Sequence, residues 1–184
     1  MSHKVAVLIG SLRRESFNRR IANAIAAVKP ASLEFDQIPI GDLPFYNEDL
    51  ESESPPPQWT AFRNRVKSAD AVLFVTPEYN RSVPGVLKNA IDVGSRPYGK
   101  SSFDGKPAAV ASVSIGPISG FGANHHLRQS LVFLNMPALQ QPEIYIGNAP
   151  NLFDKESGKL NESTEKLLRS FADAFGKWID KIRG

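Results

Sequence analysis

Three short runs of this chain are apolar at almost every position: KVAVLI (4–9), AVLFVT (71–76) and PAAVASVS (107–114). A run of this kind, rich in β-branched residues and lacking polar alternation, suits a strand covered on both faces. Two further strands are expected at 33–38, LEFDQI, which alternates, and at 138–146. Segments with helical spacing lie between and after them. Residues 18–28 carry Ile21, Ala22, Ile25, Ala26 and Val28 before Pro30, and Trp59, Phe62, Val66 and Ala69 mark a second helical face. Helices are also expected at 86–95, VLKNAIDVGS, and 125–135, HHLRQSLVFLN. A last helix over 162–182 would turn Leu167, Leu168, Phe171, Phe175, Trp178, Ile179 and Ile182 inward. Strands alternating with helices five times predict a parallel sheet with helices on both faces, an α/β three-layer sandwich. The stretches 41–57 (GDLPFYNEDLESESPPP), 96–105 and 154–159 read as irregular.

With 184 residues and no repeat or linker, one domain over 1–184 is expected. The chain has no Cys, which removes disulfides, thiolate metal sites and a Cys nucleophile. No apolar run approaches the roughly 20 residues that span a bilayer. The N-terminus lacks a signal-peptide pattern, so a cytoplasmic protein without a membrane partner is expected. The net charge is +3, from 22 basic and 19 acidic residues. The dense basic cluster, Arg13, Arg14, Arg19 and Arg20, sits on one loop, which suits a local anion site better than a nucleic-acid face.

Ligands of such folds bind beyond the carboxyl ends of the strands, near the topological switch point. Three loops leave strand ends with unusual chemistry. GSLRRESFN (10–18) opens a helix, whose free N–H groups and partial positive charge favour phosphate. Ser11 and Ser16 can donate hydroxyl hydrogens, Arg13 can pair through two N–H groups, and Asn18 can cap the helix or reach a ligand. The loop lacks the three glycines of a dinucleotide fingerprint and the Gly-Lys-Ser/Thr of a Walker loop. It therefore suits a phosphate monoester; a capped helix with solvated arginines would use the same residues.

The second loop, PEYNRSVPG (77–85), offers Pro77 and Tyr79 as apolar surface for a flat heteroaromatic. Backbone N–H groups around Glu78 to Asn80, and the Asn80 amide, can bond to ring heteroatoms. An ordinary strand-to-helix turn has the same composition. The third, SIGPISGFGAN (114–124), follows Ser112 and holds Gly116, Gly120 and Gly122, which permit close backbone approach. His125 and His126 follow without a third ligand type that would suggest a metal.

GSLRRESFN, PEYNRSVPGVLKNAID and the Gly-rich loop before HHLRQSLVFL resemble the NAD(P)H-dependent FMN reductase family, and within it the bacterial quinone and chromate reductases. The resemblance covers nearly the whole chain. It implies a flavodoxin-like fold with a five-stranded sheet in the order 2-1-3-4-5, bound FMN, and a homodimer or homotetramer. It implies that Ser11, Arg13, Ser16, Phe17 and Asn18 hold the FMN 5′-phosphate. It puts Pro77, Glu78, Tyr79 and Asn80 along the isoalloxazine, and Ser112, Ser114 and Gly116 at the other ring edge and the ribityl chain.

The activity so implied carries hydride from NADPH or NADH to FMN and on to a quinone or chromate, in a ping-pong sequence. No side chain need act as acid or base, and none is assigned as catalytic. Arg81, Arg96 and Lys100 are candidates for attracting anions. A flavodoxin-type electron carrier is the alternative, and an isoelectric point near 9.2 favours the reductase.

Overall fold

The structure, a computed structural model, describes residues 2–184. The strands β1 (His3–Ile9), β2 (Leu33–Gln37), β3 (Ala71–Thr76), β4 (Ala108–Val113) and β5 (Ile144–Ile146) form one sheet in the order β2-β1-β3-β4-β5. Every pairing is parallel. This is the order that the resemblance implies. The chain winds outward one way from β1 to β2 and the other way from β3 to β5, so the switch lies between β1 and β3.

Alternate residues of each central strand feed two cores. Val5, Val7 and Ile9 face α1 (Phe17–Val28) and α6 (Glu162–Arg183), with Ile21, Ile25, Phe171 and Phe175. Ala6 and Leu8 face the opposite layer of α3 (Pro57–Lys67), α4 (Gly85–Gly94) and α5 (Phe121–Phe133), with Trp59, Phe62, Leu87 and Leu127. Burial on both faces is why these strands read as continuous apolar runs. Each fully buried Leu, Ile or Phe side chain contributes roughly 1.5–3 kcal/mol from leaving water. Among the described residues, no helix is long and apolar enough to cross a membrane.

Three local expectations are corrected. The 41–57 stretch contains a short helix, α2 (Glu48–Glu53). Its Asn47 cap accepts from the Asp49 N–H at 3.0 Å, and none of its residues is buried, so no apolar stripe announces it. The fifth strand is confined to Ile144–Ile146. Ahead of it Ala138 makes a single bridge to Ala108, and Pro137 and Pro142 have no N–H to donate to a ladder. On α6, Leu167 and Ile182 flank the buried stripe and stay partly exposed, at 39% and 37%.

Candidate active site

The loops after β1, β3 and β4 meet at the switch point and enclose a cavity of about 170 Å3. The first loop contributes Ser11, Arg13, Ser16, Phe17 and Asn18. The second contributes Pro77, Glu78 and Tyr79, and the third Val113, Ser114 and Ile115. Gly10 lets the end of β1 come this close to the second loop. A Cβ there would stand 3.1 Å from Pro77 Cδ and 3.1 Å from Leu87 Cδ2.

Ser16 is the N-cap of α1, its Oγ accepting from the Arg19 N–H at 3.3 Å. The first turn holds no acidic residue, so its positive end is uncompensated. Ser11, Ser16 and Asn18 are buried, and Asn18 Oδ1 has no hydrogen-bond partner. A buried polar atom without a partner costs about 1–3 kcal/mol, a cost that a polar ligand in the cavity would offset. Of the four arginines in the cluster, only Arg13 lines this cavity. Arg20 lies 3.6 Å over the Phe153 ring, which also stacks on Phe17. Arg19 lines a separate cleft with Gln37 and Asp42.

The second loop is a miniature hairpin. The Tyr79 N–H donates to the Ser82 carbonyl at 3.1 Å and the Ser82 N–H to the Tyr79 carbonyl at 3.0 Å. Asn80 and Arg81 take φ of 51° and 64°, as a two-residue type I′ turn requires. That turn puts Asn80 and Arg81 at an exposed tip, outside the cavity lining, while Tyr79 stands at its wall, 53% exposed. The Glu78 side chain turns away toward α5. Its Oε2 accepts from the Ala123 N–H at 2.9 Å, and its Oε1 pairs with Arg81 Nη1 at 3.2 Å.

In the third loop, Ser114 reaches the cavity but Ser112 does not. Ser112 is fully buried at the end of β4, and its hydroxyl donates to the Ser119 carbonyl at 2.8 Å. Gly116 lies beyond the lining; its N–H donates to Ser114 Oγ at 3.2 Å and its carbonyl accepts from Ser119 and Asn148. Sequence reasoning passed over Val113 and Ile115. Ile115 is 68% exposed, and an isoleucine amid Gly and Ser in a strand-end loop was the available signal.

Beyond the cavity, His125 Nε2 meets Tyr145 Oη at 2.9 Å and His126 Nδ1 meets Ser82 Oγ at 2.8 Å. Burial, and then the nearby Glu143 carboxylate, push the Tyr145 hydroxyl up to about 12. Arg96 lines a different cavity of about 280 Å3 with Ser95, Tyr98 and Phe133, and Lys100 lines neither. Among the described residues, no cluster of three or more His, Asp or Glu could hold a metal ion.

Comparison with known proteins gives one answer. A sequence profile of the NADPH-dependent FMN reductase family matches residues 3–151. A quinone reductase of Pseudomonas putida KT2440 is 60% identical over 177 residues, spanning 96% of this chain and 95% of its own. A 2-hydroxy-1,4-benzoquinone reductase of a Burkholderia species is 43% identical over 179 residues, spanning 97% of each chain. The solved structure of FerB, a flavoenzyme NAD(P)H:(acceptor) oxidoreductase from Paracoccus denitrificans, superimposes with a TM-score of 0.90 at 41% identity. That match covers 97% of this chain and 98% of FerB.

Proposed function

The chain belongs to the NADPH-dependent FMN reductase family, and from that premise we propose that it uses NADPH or NADH to reduce quinones through FMN held in the switch-point cavity. One observation carries the reading: nine residues expected to meet the cofactor, from three separate loops, line one cavity, and buried Asn18 Oδ1 in it lacks a partner.

The residues present fit FMN. Arg13 and the uncapped N–H groups at the start of α1 take the 5′-phosphate, with the Ser11 and Ser16 hydroxyls as further donors. Asn18 meets a polar group of the cofactor. Among the described residues the Glu78 and Asn80 N–H groups have no acceptor, so the hairpin offers donors to ring heteroatoms. Pro77 and Tyr79 give the ring apolar surface, and Ser114 and Ile115 take its other edge. Bound there, FMN supplies the hydride and electron transfer between nicotinamide and acceptor. The protein binds, orients and shields the ring, and no side chain is asked to move a proton.

Tyr79 and Ile115 are exposed residues of the lining, and donor and acceptor take the same place beside them in turn, a ping-pong order. Acceptors include quinones and the anion chromate. The relatives' names, quinone reductase and 2-hydroxy-1,4-benzoquinone reductase, support the first. The protein works in the cytoplasm, where reduced nicotinamides are regenerated. It self-associates as a homodimer or homotetramer. The α4 residues Leu87, Ala90 and Ile91 lie in the core and do not supply an interface. The exposed apolar surface that supports association is instead Tyr98, Val132 and Phe133.

The test is a titration of the apoprotein with FMN, followed by flavin fluorescence. Saturable quenching at one FMN per chain is expected. Fluorescence indistinguishable from free FMN contradicts the reading.

A further inference from the structure

Glu78 stands in the cavity wall, yet its carboxylate is turned into the protein, with its side chain 11% exposed. The N-cap of α5 is Gly120, with φ 73° and no side chain to cap the helix. The N–H groups of its first turn therefore need an acceptor from elsewhere. Glu78 supplies one to Ala123 from a loop 45 residues away. A carboxylate at a helix N-terminus gains from both the hydrogen bond and the helix dipole.

Two further contacts fix the arrangement. Arg81, across the turn, pairs with the other carboxylate oxygen, and Ser82 meets His126 on α5. Gly122 makes room for it: a Cβ there would lie 2.9 Å from Glu78 Oε2 and 3.0 Å from the Arg81 carbonyl. The hairpin that carries Tyr79 and the unpaired N–H groups is thus clamped to α5 at Glu78 and Ser82.

We propose that Glu78 is a positioning residue: its carboxylate, seated on the Ala123 N–H in the space left by Gly122, holds the Tyr79 hairpin at the cavity wall in the geometry that receives the flavin ring. This rests on the FMN reading above and adds that Glu78 acts through the hairpin, with its backbone and not its carboxylate facing the ring.

The test uses Glu78→Ala, Glu78→Gln, Gly122→Ala and the Glu78→Ala/Gly122→Ala double variant, read in two ways. Hydrogen exchange of the hairpin amides is measured on the apoprotein, and FMN affinity by fluorescence titration. Glu78→Ala and Gly122→Ala should each speed exchange at Tyr79 and Ser82 and weaken FMN binding by about tenfold, the size of one hydrogen bond to a charged group. The double variant should be no worse than either single one, because both undo the same seat. Glu78→Gln keeps an acceptor for Ala123 and should fall between wild type and Glu78→Ala. Alanine has the higher helix propensity, so a loss at Gly122→Ala cannot come from a weaker α5. Additive losses, or a lowered melting temperature with unchanged hairpin exchange, would overturn the proposal and leave Glu78 as a helix cap alone. Faster exchange in the variants of a wild type that fails to bind FMN would uphold the clamp and refute the cofactor reading.

Discussion

Arg63 and Glu51 form a two-pronged ion pair, Nη1 to Oε1 at 3.0 Å and Nη2 to Oε2 at 2.5 Å, with side chains only 9% and 14% exposed. The Arg63 Nε–H donates to the Val93 carbonyl at 2.8 Å, so one guanidinium ties α2 to α3 and α4. Asn89 secures the preceding segment, accepting from the Tyr46 N–H and donating to the carbonyls of Leu43 and Pro44. Glu51→Ala would leave the Arg63 charge buried without its partner. A loss of roughly 3–5 kcal/mol is expected from denaturant unfolding, the usual cost of breaking such a pair from one side. A loss under about 1 kcal/mol would mean that the pair behaves as an exposed one.

Asn18 is expected to separate stability from binding. Its Oδ1 is buried without a partner, so Asn18→Ala removes an unsatisfied group. The apoprotein should unfold at the same or a higher temperature, while FMN affinity falls. Parallel melting curves and FMN titrations check this. A destabilised apoprotein with normal FMN affinity would assign Asn18 to the fold alone.

Arg13 is the cation in the cavity lining, and Arg13→Ala should weaken FMN binding by roughly 1.5–3 kcal/mol, the value of a charge-assisted contact. Arg20→Ala, which loses a contact with the Phe153 ring, should instead act mainly on stability. Equal effects of the two variants on the FMN dissociation constant would contradict the phosphate assignment.

Tyr145 gives a pH dependence. Its folded-state value is raised to about 12 from 10.0, so the folded protein holds this proton more tightly than the unfolded chain does. The stability so gained is fully present below pH 10 and is lost as pH rises toward about 12. Tyr145→Phe should flatten the stability profile in that window. An alkaline absorbance titration that shows Tyr145 ionising near its ordinary value would refute the cause given.

Acceptors should differ in their response to salt. Raising ionic strength should reduce kcat/KM for chromate more steeply than for a neutral quinone, since exposed charges are screened over about 8 Å at physiological ionic strength. Arg81→Ala, at the exposed tip of the hairpin that lines the cavity, should flatten the chromate slope, whereas Arg96→Ala, in a separate cavity, should not. The comparison needs saturating nicotinamide throughout, and equal slopes for both acceptors would refute it.

What the sequence made legible was whatever rests on apolar periodicity or on a strand-to-helix loop. The runs at β1, β3 and β4, and the place of the GSLRRESFN loop at the switch-point cavity, are of this kind. Helix α2 was not legible, because Asn47 and the Arg63–Glu51 pair hold it in place of an apolar face. Nor was the hairpin, whose turn residues Asn80 and Arg81 lack the glycine that usually marks positive φ. Asn80 and Ser112 have the side chains of ligand-binding residues, but the turn carries one to the surface and the buried end of β4 keeps the other. The link from Glu78 to Ala123 crosses 45 residues and joins a side chain to a main-chain N–H, which no local pattern reveals.

The proposed activity passes electrons from a reduced nicotinamide through bound FMN to a quinone. Anaerobic stopped-flow tests it most directly. The FMN-loaded protein is mixed with NADPH or NADH, and then with a neutral quinone, while the flavin absorbance is followed. Bleaching by the nicotinamide alone, and full recovery on adding quinone, are the expected results. A flavin that neither nicotinamide bleaches, but that a separate electron donor reduces, would contradict a reductase activity and make the protein a flavodoxin-type carrier.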